Sequence, residues 1–204
     1  MFSKTLSIKS ILVSSLFIGG SISSANATVY SNTLDTPTFF NNPEINSFGQ
    51  EFTTAGGTLT DWSFYVTSGL MGNIKFVISS WDGTKAVGPA LYSSTTFYGG
   101  GGAQTLSFSG INLQLSAGSY VSYLTGVGVP DRTGGVFLGA SYSDGGLPGS
   151  FRLYGPGDTD WRSSSLSNFN LQYTAVINPV PEPENLAMLF AGLGLIGIAV
   201  RGKK

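Results

Sequence analysis

Short segments of alternating apolar and polar residues run through the middle of this chain and constrain its fold more than any other feature. In the last of them, polar residues at 170, 172 and 174 separate Phe169, Leu171, Tyr173, Ala175 and Ile177. Because successive side chains of a strand point to opposite faces, this period of two predicts a half-buried β-strand. Similar runs precede it at Phe48–Phe52, Leu59–Val66, Ile74–Trp81, Leu91–Phe97, Gln104–Phe108, Ile111–Leu115, Tyr120–Leu124, Val136–Tyr142 and Phe151–Tyr154.

Glycine-rich turn signals separate these runs, and no helical pattern lies between them. Asp82-Gly83, Gly99 to Gly102, Ala117-Gly118 and Asp144-Gly145 are examples. Many short strands at this spacing favour an antiparallel sandwich or barrel over a parallel α/β fold. We therefore predict an all-β, antiparallel, jelly-roll-like β-sandwich over residues 28–178, with Trp62, Phe64 and Val66 on its core face.

The chain contains no cysteine and no histidine. Disulfides, thiolate metal sites and a cysteine nucleophile are therefore excluded. Without histidine, the chain lacks the usual general base of hydrolases and the commonest transition-metal ligand. Carboxylates, tyrosine and lysine remain for any chemistry. No cofactor is expected.

The N-terminus has the three parts of a secretory signal peptide in the required order. Lys4 and Lys9 are followed by the apolar segment Ile11–Ile18 and then by Ala25-Asn26-Ala27, a small-x-small cleavage site. A first core helix is the alternative. We predict a signal peptide over residues 1–27, which signal peptidase removes after Ala27.

The C-terminus is PVPEPENLAMLFAGLGLIGIAVRGKK, residues 179–204. No polar side chain interrupts Leu186–Val200, and fifteen helical residues span about 22 Å, slightly less than a relaxed bilayer core. The basic end at Arg201, Lys203 and Lys204 would stay on the cytoplasmic side while the preceding domain is exported. The sequence therefore predicts a single C-terminal transmembrane helix.

This terminus resembles the PEP-CTERM sorting tail of exported bacterial proteins. Val180, Pro181, Glu182 and Pro183 match the signature of that family, and the apolar run and the basic cluster follow in its order, although Gly202 interrupts the cluster. The resemblance implies that a membrane-embedded exosortase recognises the tail, and that the protein is released or attached outside the cell. The middle of the chain also looks like ectodomains of such proteins, for which no activity is assigned.

The physical properties of the motif suit recognition by a processing enzyme. Pro181 and Pro183 disfavour helix and hold the segment extended, as a protease or transpeptidase cleft requires. Glu182 offers a negative charge that an arginine of the enzyme could pair with. The alternative is a proline-rich linker before a plain membrane anchor.

The charge balance argues against nucleic acid as a partner. Residues 28–178 carry nine carboxylates and five cations, a difference of −4, whereas phosphate binding needs a basic face. A glycosidase would need two carboxyl groups at a set separation, but most aspartates here lie in turn sequences. Asp158-Thr159-Asp160 could hold calcium, although a turn capped by its own backbone is the simpler interpretation.

Planar aromatic side chains offer another route to function, because sugar rings stack on tryptophan and tyrosine. Trp81 ends a predicted strand, and Trp161 lies in a polar loop beside Arg162, so we expect both tryptophans to be exposed. Trp81, Trp161 and Arg162 are therefore the candidate glycan-binding site. A core or strand-end plug is the alternative role of both tryptophans. The stretch Ile111–Leu124 also resembles a strand pair of carbohydrate-binding jelly rolls.

These patterns predict an exported, exosortase-processed surface or extracellular matrix protein that is not an enzyme. The resemblance to the sorting family implies an association with exopolysaccharide or biofilm, with extracellular polysaccharide as a partner. A secreted glycan-active hydrolase and a purely structural surface protein are the alternatives.

Overall fold

The computed structural model describes residues 26–32, 46–68, 72–99, 101–131, 137–143, 145–163 and 169–180, together with Phe190 and Leu193. The chain divides into two compact units, Ala25–Val180 and a second one made of Met1–Ser24 with Pro181–Lys204. Nearly all of the regular structure that is described belongs to the first unit. The boundaries at residues 28 and 178 remain a prediction.

The first unit is all-β and its described strand pairs are antiparallel, as the sequence predicts. The strands are β1 (Thr28–Ser31), β2 (Ser47–Thr54), β3 (Gly57–Ser68), β4 (Gly72–Trp81), β5 (Ala86–Ser93), β6 (Phe97–Gly99), β7 (Gln104–Leu115), β8 (Gly118–Thr125), β9 (Phe137–Leu138), β10 (Ala140–Ser141), β11 (Phe151–Tyr154), β12 (Arg162–Ser163), β13 (Asn170–Leu171) and β14 (Tyr173–Asn178). One sheet has the order β1-β14-β3-β7, with β9 paired to β3. The other has the order β12-β11-β2-β8-β4-β5, with β6 paired to β4, and β10 pairs with β13.

The main strand pairs are nested along the chain. β4 pairs with β5, β3 with β7, β2 with β8, and β1 with β14. From β1 to β4 and from β6 to β8, each strand lies in the other sheet from the one before it, whereas β4, β5 and β6 share one sheet. The edge strands β5 and β7 end the two sheet orders.

The core lies between the inner faces of the two sheets. Trp62, Phe64 and Val66 are buried there, which confirms their predicted face. The alternating residues of the last segment, Phe169 to Ile177, are buried as well. Trp62 stacks on Tyr173 with ring centroids 5.1 Å apart and contacts Phe52 at 4.9 Å, so aromatic packing fills the centre of the sandwich.

Several strand boundaries differ from the sequence prediction for local reasons. Gln104–Phe108 and Ile111–Leu115 form one strand, β7, because a bulge with positive φ at Gly110 and Asn112 absorbs the extra residues opposite Thr60. The predicted run Leu91–Phe97 covers the end of β5 and the first residue of β6. Gly139 divides the predicted run Val136–Tyr142 into β9 and β10. β1 carries no clear alternation and was not predicted.

The stretch Ile111–Leu124 contains two strands and a short turn, but the strands are not hydrogen-bonded to each other. β7 pairs with β3 in one sheet, whereas β8 pairs with β2 and β4 in the other. The turn at Ser116-Ala117 therefore connects the two layers of the sandwich.

Candidate functional site: an aromatic cluster on the outer face

The outer face of the larger sheet carries a second group of aromatic rings, which we call the outer cluster: Trp81, Tyr123, Tyr154 and Trp161. Leu124 and Phe151 face the core, so the period of two places Tyr123 and Tyr154 away from it. Trp81 ends β4, and Trp161 comes from the loop that follows β11. Strands β4, β8 and β11 and the loop after β11 therefore each contribute a ring to one patch.

Trp161 is the centre of the outer cluster. Its ring lies edge-on to Tyr123 with centroids 5.1 Å apart and edge-on to Trp81 at 6.0 Å. It also contacts the tilted ring of Tyr154 at 5.7 Å. Edge-to-face pairs at these separations are favourable aromatic geometry, so the three rings fix the orientation of Trp161.

An ion pair closes one side of the cluster. The Nε and Nη2 groups of Arg152 both donate to Oε2 of Glu51, at 2.8 Å and 2.5 Å. The Arg152 guanidinium carbon also lies 5.2 Å from the ring centroid of Trp81, within the range of a cation–π contact. Arg152 is thus held between a carboxylate and the tryptophan ring.

Two capped turns hold the loop that carries Trp161. Oδ2 of Asp158 accepts hydrogen bonds from the backbone N–H of Gly155 at 2.6 Å and from Nε of Arg162 at 2.9 Å. The backbone N–H of Trp161 donates to the carbonyl of Thr84 at 3.0 Å, which joins the loop to the turn after β4. In that turn the backbone N–H groups of Thr84 and Lys85 bind Asp82 and lower the pKa of its carboxyl group.

The structure separates the three predicted glycan-binding residues by exposure. The prediction that Trp81 is exposed is wrong: it is 6% exposed, because Trp161 and Arg152 cover its ring. Trp161 is half-buried, and Arg162 is exposed beside it. The N–H of the Trp81 indole has no hydrogen-bond partner within the described residues.

The aspartates of the loop have structural partners that account for them. Asp158 caps its own turn, as the simpler interpretation of the sequence predicted, and Asp160 lies 3.9 Å from the ammonium nitrogen of Lys85. Among the described residues, no group of three or more acidic side chains is placed to hold a metal ion.

Sequence reasoning missed Tyr123, Tyr154 and the Glu51–Arg152 pair. These residues are far apart in sequence and meet only because β11, β2 and β8 are neighbours. Gly49 was the available signal: a Cβ at this position would collide with the Ser122 carbonyl and with Cβ of Tyr123. Glycine in a strand interior often marks such a close approach.

We expect the outer cluster to make stability depend on alkaline pH. Burial raises the pKa of Tyr123 above its usual value near 10, and the Ser79 hydroxyl at 3.4 Å offsets part of this shift. The unfolded chain therefore loses this proton first, so stability present below about pH 10 is lost as pH rises toward the folded pKa. Urea unfolding at pH 9 and pH 11 should show that the free energy of unfolding falls less between the two pH values for Tyr123→Phe than for the wild type. Tyr142→Phe removes an exposed phenol and should behave as the wild type, and identical pH dependence in all three proteins would contradict the expectation.

The tail lies largely outside the described residues. Six residues of the predicted sorting signal are not described: Pro181, Glu182, Pro183, Arg201, Lys203 and Lys204. At the other end of the chain, Ala25 of the predicted cleavage site also lies outside the described residues. Ala27 and Val180 are described and exposed, and Phe190 and Leu193 of the apolar run are helical and exposed. No helix among the described residues is both long enough and apolar enough to span a membrane.

Comparison with known proteins identifies the C-terminal segment. The PEP-CTERM protein-sorting motif matches residues 179–204. The chain therefore carries a PEP-CTERM sorting signal, which implies an exported protein that an exosortase sorts by a membrane-anchored signal. No curated protein matches the chain.

Two solved structures match part of the chain. The cysteine protease and lectin-like domains of Cwp84, a surface layer associated protein of Clostridium difficile, match 76% of this chain and 36% of that one, at 13% identity and a TM-score of 0.49. The clostridial cysteine protease Cwp84 after propeptide cleavage matches 76% of this chain and 40% of that one, at 12% identity and a TM-score of 0.51. The chain thus spans less than half of each structure, and the second likeness shows the fold alone.

Proposed function

We propose that this protein is a non-catalytic surface or extracellular matrix protein that holds extracellular polysaccharide outside the cell. After signal peptidase removes residues 1–27, the tail anchors the protein in the membrane until an exosortase processes it. The cell surface or the extracellular matrix of a biofilm is then its final location. The half-buried ring of Trp161, fixed by three other rings and flanked by exposed Arg162, carries the polysaccharide part of the proposal.

A rigid aromatic ring with one accessible part is suited to stacking on a sugar. Sugar rings present C–H faces to aromatic surfaces, and a ring that is already ordered loses little entropy on binding. Arg162 supplies hydrogen-bond donors next to this ring. Trp81 packs under Trp161 and helps to hold it, since the Trp81 ring is itself covered.

The strand order supports the jelly-roll-like part of the proposal. With β6 set aside as a short extension of β4 and β9 to β13 as an insertion, eight strands remain, and their pairs are nested from β4–β5 outward to β1–β14. A jelly roll is an eight-stranded, two-sheet fold of this kind.

The described carboxylates near the outer cluster favour a non-catalytic role over the alternative of a glycan-active hydrolase. Glu51 forms an ion pair with Arg152, and Asp158 pairs with Arg162 and caps its own turn. Asp82 accepts hydrogen bonds from backbone N–H groups. A glycosidase needs two carboxyl groups facing one sugar bond. Incubation of the purified protein with polysaccharide should therefore release no new reducing ends, and their appearance would favour the hydrolase.

We expect Trp161→Ala to weaken polysaccharide binding about tenfold, which corresponds to ~1.4 kcal/mol. Affinity electrophoresis through gels that contain purified extracellular polysaccharide of the producing cells measures this change. Tyr142→Ala is the matched control, because it removes an exposed aromatic ring elsewhere in the ectodomain. Equal retention of wild type and Trp161→Ala, with both proteins folded, would contradict the proposed site, and no retention of the wild type would favour a purely structural role.

A further inference from the structure

A groove runs along the open side of the sandwich, away from the outer cluster. It encloses about 690 Å³ and lies between the end of β5, the following segment to Phe97, and residues 105–109 of β7. β5 and β7 each end the order of their sheet, so the groove lies where the two edges face each other. We call it the edge groove.

The floor of the edge groove is aromatic. Phe108 stacks on core Phe76 with centroids 4.2 Å apart and lies edge-on to Phe97 at 5.4 Å. Tyr92 contacts Phe76 from the opposite sheet edge at 5.9 Å. Tyr92, Phe97 and Phe108 are each partly exposed, so the groove offers accessible ring surface that the core holds in place.

The rim of the edge groove consists of hydroxyl groups. Thr105, Ser107 and Ser109 alternate with Leu106 and Phe108 along β7 and are exposed, and Ser93 and Thr95 line the other side of the groove. Residues two apart on a strand are about 6.6 Å apart, which is of the order of one pyranose unit. Every lining residue that the structure describes is uncharged.

We propose that the edge groove binds an uncharged polysaccharide segment, as a second glycan site separate from Trp161. A groove lined by both aromatic rings and hydroxyl groups presents a sugar with the two kinds of contact that it makes, C–H stacking and hydrogen bonding. The absence of charge from the lining favours a neutral polymer over an anionic one, because nothing in the groove compensates a carboxylate or sulfate. This proposal rests on the polysaccharide-binding function and assigns it a place and a ligand class.

Features of both edges disfavour the competing occupant, an added peptide strand. β5 carries Gly88-Pro89 where its pairing with β4 shifts register, and proline and bulges are devices that block edge pairing. β7 carries its bulge at Gly110 and Asn112, directly after the groove residues. The two strands beside the groove are therefore poor templates for a continuous new strand.

The test removes the rim hydroxyls from the purified full chain. A Thr105→Ala, Ser107→Ala, Ser109→Ala triple variant changes only exposed side chains, so we expect it to fold. Ser31→Ala with Ser116→Ala is the matched control, since it removes exposed hydroxyls away from the groove. Affinity electrophoresis is run with dextran, mixed-linkage β-glucan and galactomannan as neutral polymers and with alginate as the anionic polymer.

We expect at least one neutral polymer to retard the wild type, with affinity reduced about tenfold in the triple variant and unchanged in the control. If no neutral polymer binds, or if the triple variant binds as well as the wild type, the edge-groove proposal is overturned. Sedimentation supplies a further check: a wild-type dimer that the triple variant abolishes would show that the groove pairs strands. If Trp161→Ala loses binding to the cells' own polysaccharide and the triple variant does not, the proposed function stands and only the edge-groove proposal is overturned.

Discussion

Trp62→Ala is expected to lower the free energy of unfolding by about 4 kcal/mol, within the range for truncating a buried tryptophan. Trp62 is 1% exposed and packs against Tyr173, Phe52 and Phe64, so its removal leaves a cavity between the sheets. The indole N–H has no hydrogen-bond partner within the described residues, so the loss should come from packing. Urea unfolding of the purified protein, followed by circular dichroism, measures the change.

Trp161→Ala is the matched control for this experiment, because it deletes the same side chain from a half-buried position outside the core. It should cost clearly less than Trp62→Ala. Equal losses of unfolding free energy in the two variants would contradict the assignment of Trp62 to the core and Trp161 to the outer cluster.

The second large effect is expected at Gln50, a fully buried side chain that joins β2 to β13. Its Nε2 donates to Oδ1 of Asn170 at 2.7 Å, and its Oε1 accepts from the backbone N–H of Leu171 at 2.8 Å. Gln50→Leu keeps a similar volume but deprives a buried N–H group of its acceptor, which costs the desolvation of that group. We expect a loss of about 3 kcal/mol, since a buried network is weakened as a whole.

Thr53→Val provides the comparison on the same strand. The Thr53 hydroxyl bonds Ser119 at an exposed position, so water can replace the lost partner. Urea unfolding of both variants should give a loss for Gln50→Leu that is several times larger. A loss below ~1 kcal/mol at Gln50 would contradict the structural role of this network.

The core faces of the sandwich were predictable because their signal is local. Trp62, Phe64 and Val66 alternate within a single strand, and the pleat of any strand places them together. The same rule placed Phe169 to Ile177 correctly. It failed at Asn170, which shares the buried environment because Gln50 supplies a partner that no local pattern encodes.

The surface of the sandwich was less predictable, because its features depend on which strands become neighbours. Trp81 ends a strand beside a polar turn, which indicates exposure, but the loop after β11 returns to cover it. The edge groove requires β5 and β7 to end their respective sheets, and nothing in either segment specifies that position. The bulge in β7 likewise follows from its pairing with β3.

The sorting tail was predictable because its parts are read in linear order. The Pro-Glu-Pro segment, the apolar run and the basic end fall in fixed sequence, and the sorting motif matches residues 179–204. The tail specifies the route of the protein, whereas the outer cluster and the edge groove concern what it binds.

The most direct test of the account is the intact mass and location of the protein in producing cells with and without their exosortase. With the enzyme, we expect a protein that begins at Thr28, lacks Arg201–Lys204 and is found outside the cell or on its surface. Without the enzyme, the basic tail should be retained and the protein should stay in the membrane fraction. An exported protein that keeps Arg201–Lys204 in the presence of the exosortase would contradict the account.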